Sequence, residues 1–132
     1  MALCAASVAS VSWVAGGGGG RRRTTSLSLD VWPRFIAPDG VTRLAVLVNE
    51  TFPGPVLRGR RGDLLRATVR NHLHTEVFSI HWHGLKMRHR PWDDGVASLT
   101  QCGIPPGGVY IYLYVCVYIY IYVCVCVCVC VE

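Results

Sequence analysis

The sequence predicts an all-β domain, a sandwich of short antiparallel strands. Three observations predict it. Apolar or alternating runs of strand length recur, Pro/Gly turn signals separate them, and no stretch between residues 30 and 108 carries a convincing helical period. "RLAVLV", residues 43–48, is a short apolar run suited to a buried strand. "NETFPGP", residues 49–55, breaks it, with Pro53-Gly54-Pro55 as a strong turn signal. "LLRATVRN", residues 64–71, alternates: Leu65, Ala67 and Val69 face one way, and Arg66, Thr68 and Arg70 the other. "VFSIHWH", residues 77–83, is a third strand, and Gly84 closes it.

At 132 residues the chain fits one domain able to bury a modest core. Its composition divides it into three segments. Residues 1–29 read as a low-complexity leader, with an apolar, small-residue stretch (Ala2–Ala15), a glycine run (Gly16–Gly20) and three arginines (Arg21–Arg23). A secretory signal places its basic residues before the apolar stretch, whereas here they follow it, so the leader is either a weak signal peptide or a disordered N-terminus. Residues 30–108 read as folded protein. Residues 109–132 form a low-complexity tail that holds all six tyrosines and five of the seven cysteines.

The tail, "VYIYLYVCVYIYIYVCVCVCVCV", is long enough to span a bilayer. Its strict alternation of β-branched residues with Tyr or Cys is a strand pattern instead, and an open strand cannot sit in lipid. The alternation also matches what a TA repeat running into a TG repeat encodes in one frame, so the tail is expected to be translated simple repeat. Its cysteines then form neither a zinc nor a disulfide framework. The net charge of +5 is spread unevenly: residues 30–108 hold ten Lys/Arg against seven Asp/Glu. A mild excess without interleaved aromatics argues against a nucleic-acid surface.

"SIHWHG", residues 79–84, carries the chemistry. On a strand, residues i and i+2 point to one face, about 6.5–7 Å apart at Cα. His81 and His83 therefore project together, while Phe78, Ile80 and Trp82 project into the core. Neutral imidazoles suit copper, zinc, iron and nickel. The spacing fits two ligands serving neighbouring metals, or one metal with side-chain bending. His72 and His74, in "NHLHTE", have the same spacing but read as a solvated loop, and His89 reads as exposed.

"HWHG" followed by "PWDDGVASLTQCGIPPG", residues 91–107, closely resembles the first cupredoxin (plastocyanin-like) domain of the multicopper oxidases, the laccase and ascorbate oxidase family. "NETFPGPVLRGRRGD" resembles the family's segment around its FPGP turn, and "HLHTE" looks like ascorbate oxidase in particular. The resemblance covers about residues 42–108. It implies an incomplete cupredoxin-like Greek-key β-sandwich between a disordered leader and the tail.

The resemblance also implies site residues. His81 corresponds to a ligand of the type 2 copper and His83 to a ligand of a type 3 copper, in the trinuclear cluster where oxygen is reduced to water. Asp94 corresponds to a carboxylate that helps deliver protons there, although Asp94-Gly95 is equally readable as a plain turn. Asp93 stands where relatives often carry an uncharged residue. Cys102 corresponds to a cysteine that pairs with a distant one, and that partner is missing from this sequence. The family's later histidine motifs are also missing, so the chain is expected to be a laccase-like fragment, inactive and marginally folded by itself. The parent's partners would be oxygen and a small reducing substrate such as a phenol, ascorbate or ferrous iron, and its location extracellular.

Two other readings stay open: a non-enzymatic copper-binding cupredoxin and a membrane-anchored extracellular module. The first would need a His, Cys, His and Met set near its last strands, and this is absent. Asn49-Glu50-Thr51 is a glycosylation sequon, usable only in a secreted chain. Arg61-Gly62-Asp63 matches an adhesion tripeptide but falls at a hairpin turn of the family pattern.

Overall fold

A computed structural model describes residues 23–52, 54–58, 62–115 and, as backbone, 125–130. Six strands appear in chain order: β1 (Thr24–Ile36), β2 (Arg43–Val48), β3 (Leu64–Asn71), β4 (Val77–Trp82), β5 (Val109–Val115) and β6 (Val125–Cys130). The only helical turn among the described residues is a short 3-10 turn, Pro91–Asp94, between β4 and β5.

The three strands expected from the sequence stand where the patterns place them. The structure adds β1, whose N-terminal half lies in the segment read as leader, and β5 and β6, which lie in the segment read as tail. The expected domain edge at 30 therefore cuts through β1, and the edge at 108 falls immediately before β5. The reason is visible in the alternation. Leu29 and Val31 of β1 and Tyr112 and Tyr114 of β5 turn into the core, while Ser28, Val109 and Ile111 turn outward.

Four strands form one sheet in the order β2-β1-β3-β5, and β4 pairs with β6 in a second. The long strand β1 serves two neighbours. Its first half runs parallel to β3, from Thr24↔Leu64 to Val31↔Asn71. Its second half runs antiparallel to β2, from Val31↔Val48 to Ile36↔Arg43. The parallel pair departs from the purely antiparallel sandwich expected. It arises because the chain turns back through β2 and then crosses to the other side of β1, where β3 runs in the direction of β1. In the four-stranded sheet, β2 and β5 are the edges.

The core lies between the sheets. β3 supplies Leu65, Ala67 and Val69, and β4 supplies Phe78, Ile80 and Trp82, all with no exposed surface. The Trp82 ring meets Tyr112 edge-on at 5.2 Å between centroids and Tyr114 at 4.9 Å, joining the two sheets directly. Asn71, also buried, locks the end of the sandwich. Its Nδ2 donates to the carbonyls of Glu76 (2.9 Å) and Ile104 (2.8 Å), and its Oδ1 accepts from the Leu73 amide (2.9 Å). These bonds tie the end of β3 to the start of β4 and to the segment leading into β5.

Candidate metal centre

Strand β4 does two jobs because its side chains alternate. Phe78, Ile80 and Trp82 are buried, His81 is half-buried and His83 exposed. The two imidazoles share the other face, with ring centroids 5.8 Å apart and planes at 89°. The juxtaposition read from the spacing is therefore present.

The ring of His81 is held from behind. Its Nδ1 lies 2.8 Å from the backbone carbonyl oxygen of Asp94. A carbonyl only accepts, so Nδ1 carries the proton, and Nε2 is the nitrogen left to bind a metal. The Asp94 carboxylate is close as well, with Oδ1 3.7 Å from the same nitrogen. Asp94 also lines a cavity of about 320 Å³ together with Leu85, Met87, Pro91 and Thr100.

The Asp94-Gly95 turn is docked on β4 by its backbone. Ser79, buried on the histidine side of the strand, donates from Oγ to the Gly95 carbonyl at 2.7 Å. Gly95 has φ +83°, and a Cβ there would run into the backbone carbonyl of Ile80. Only glycine permits both the left-handed conformation and this close approach. The expected turn and the expected carboxylate thus occur in the same place.

Sequence reasoning missed Asp93. Its carboxylate is wholly buried. Oδ2 accepts from Arg90 Nε and from the Leu113 amide (3.4 Å), and Oδ1 accepts from the Tyr110 hydroxyl (2.9 Å). Burial first, then the carboxylate of Asp93, pushes the Tyr110 phenol well above its ordinary value and keeps it a donor. A second acid beside an expected functional one, in "PWDDG", was the available signal.

Other expectations change. His72 lies in a loop, as read, but is only partly exposed: its ring stacks on Trp32 (centroids 3.8 Å apart, planes 4° apart) and its Nε2 donates to Asp30 at 2.9 Å. His74 and His89 are exposed, as read. Cys102 was expected without its partner, yet its sulfur is disulfide-bonded. The cysteine-bearing strand β6 runs beside β4, which itself bridges to Ile104 near Cys102. Asn49 binds β1 at both ends of its amide, accepting from the Asp30 amide (2.7 Å) and donating to the Ser28 carbonyl (3.0 Å). Cys4, the glycine run, Arg21, Arg22 and Arg61 lie outside the described residues.

A sequence profile described as multicopper oxidase matches residues 32–118. The chain belongs to the multicopper oxidase family. It is 44% identical over 81 residues to an L-ascorbate oxidase of Cucumis sativus, a match covering 61% of this chain and 14% of that protein. It is 49% identical over 85 residues to laccase-2 of Thanatephorus cucumeris, with the same two shares. The solved laccase of Botrytis aclada superposes with a TM-score of 0.66 at 39% identity, covering 71% of this chain and 17% of that one. The chain thus spans about one-seventh of the length of the curated relatives it matches. These matches support a laccase-like multicopper oxidase fragment with a partial cupredoxin-like sandwich. Among the described residues no helix is long and apolar enough to cross a membrane.

Family membership implies copper, and the residues fit it in part. Imidazole nitrogen is a suitable donor for copper. The bond from His81 Nδ1 to a carbonyl is the outer contact that metal-binding histidines use. Among the described residues, however, no group of three or more His, Cys, Asp or Glu side chains converges. His81 and His83 are two imidazole donors on one face of β4, and no third such side chain joins them among the described residues.

Proposed function

We propose that this chain supplies the first pair of copper ligands of a laccase-like oxidase, which takes electrons from a small reductant and reduces oxygen to water. His81 would hold the type 2 copper and His83 a type 3 copper. Bound copper supplies the redox chemistry. The chain's own residues orient the ligands and handle protons. The Asp94 carbonyl would fix the His81 ring, and the Asp94 carboxylate, 3.7 Å from that ring and at the wall of a cavity, would pass on the protons that oxygen reduction consumes. The observation that carries this reading is the pair of imidazoles 5.8 Å apart on one side of β4, one of them already held by a backbone acceptor.

Ascorbate is the reductant that a relative's name prints, and phenols are the second class proposed; the proposed location is outside the cell, where Asn49 would be open to glycosylation. Completing the copper cluster requires further ligands, so the chain alone should not turn over a phenolic substrate. Titration of the metal-free chain with Cu(II), followed by electron paramagnetic resonance, tests the assignment. Nitrogen coupling is expected, and affinity should drop about tenfold or more in His81→Ala and in His83→Ala. Unchanged binding in both variants would refute it.

A further inference from the structure

Residues 93–95 face both sheets at once. The side chain of Asp93 binds toward β5, through the Tyr110 hydroxyl at 2.9 Å and the Leu113 amide at 3.4 Å, and toward Arg90 within its own turn. The backbone of the next two residues binds β4: the Asp94 carbonyl takes the His81 Nδ1 proton, and the Gly95 carbonyl takes the Ser79 hydroxyl. The turn itself has few bonds of its own. It spans only Pro91–Asp94, and no side chain caps its N-terminus. A single helical turn does not hold its shape unaided. Asp93 is the one buried acid among the described residues, and all three of its partners are donors.

We infer that Asp93 is a positioning residue for His81: by fastening the turn to β5, it sets the Asp94 carbonyl where it selects the Nδ1–H form of the ring and leaves Nε2 to the metal. The effect passes through one peptide unit. A carboxylate with three donors cannot shift without stranding them, and an unpaired buried donor or acceptor is costly. Asp93→Asn keeps the volume but removes the charge and one acceptor oxygen: its N–H₂ faces either Arg90 and the Leu113 amide, donor against donor, or the Tyr110 hydroxyl, which must then turn from donor to acceptor. Tyr110→Phe removes one bond and leaves the others.

The inference rests on the assignment of His81 as a ligand, but its test needs no copper, so the two fail separately. Full-length chain labelled with ¹⁵N-histidine, metal-free, is read by long-range proton–nitrogen correlation. His81 is identified from the signals lost in His81→Gln. In the unmodified chain His81 should be wholly Nδ1–H. In Asp93→Asn it should shift to a mixture of tautomers, and in Tyr110→Phe to a lesser mixture, while His72, held by Asp30, stays unchanged. A folded Asp93→Asn chain with His81 still wholly Nδ1–H would overturn the inference. If Asp93→Asn does not fold, Tyr110→Phe decides by the same signals, and an unmoved His81 there overturns it equally.

Discussion

Ser79 and Gly95 meet on the histidine side of β4, the hydroxyl of one donating to the carbonyl of the other at 2.7 Å. The contact places the whole turn against β4. Gly95 makes it possible, since a Cβ at φ +83° would meet the Ile80 carbonyl. Gly95→Ala should therefore cost at least about 2 kcal/mol, from left-handed strain plus displaced backbone. Ser79→Ala, which leaves a buried carbonyl without its donor, should cost about 1–3 kcal/mol. Urea unfolding midpoints measure both, and a Gly95→Ala chain with an unchanged midpoint would show that the turn is not docked as described.

Trp82 is the largest wholly buried side chain. Its replacement by alanine should remove about 3–5 kcal/mol, or leave no folded population. Trp82→Phe should cost much less than that. It keeps ring contact with Tyr112 and Tyr114 and deletes an indole N–H that is buried with no hydrogen-bond partner among the described residues. Comparison of the two midpoints separates ring packing from the polar penalty.

Acid should weaken the chain through Asp30. The hydrogen bond from His72 holds the Asp30 carboxyl below its ordinary value of 3.8, against the opposing effect of burial and with help from Ser28 and Arg70. A depressed carboxyl stabilises the fold fully above its unfolded value, and that contribution disappears as pH falls through the lower folded value. Stability should thus decline below about pH 4. Asp30→Asn should flatten that part of the profile, measured by urea midpoints at successive pH values. An Asp30→Asn profile that keeps the full decline would place its origin elsewhere.

Alkali should act through Tyr112. Burial pushes this phenol up to about 12, although its oxygen accepts from the Ile80 amide and from Gln101 Nε2. A raised value means full stabilisation below the unfolded phenol value and progressive loss above it. The loss should run from about pH 10 upward. Spectrophotometric titration should show Tyr110 and Tyr112 among the late-ionising phenols, and Tyr112→Phe should reduce that late amplitude by one phenol.

Much of this was legible in the sequence, and the reasons are local. β2, β3 and β4 follow from apolar runs and period two, and the inward Trp82 with outward His81 and His83 follows from the same parity. Pro53-Gly54-Pro55 and Gly84 mark interruptions because their backbone preferences are intrinsic. The ends of the folded region were misjudged because β1 begins in a Ser/Thr-rich stretch and β5 is written in a repetitive one. Neither composition reveals which strand will be its neighbour. Asp93 was passed over and His72 misread for the same reason: a buried charge or a stacked ring depends on partners far along the chain, here Tyr110 and Trp32.

What the sequence determined by itself was the alternation that puts two imidazoles on one side of a strand, the glycine at 95, and the motif spacing that marks the family. Side-chain parity and left-handed backbone need no distant partner. What only the tertiary structure decided was the parallel pairing of β1 with β3, the burial of Asp93 between a turn and β5, and the carbonyl that chooses which nitrogen of His81 keeps its proton. Each of these depends on two segments meeting, and the free energy of that meeting comes from the core between the sheets rather than from either segment alone.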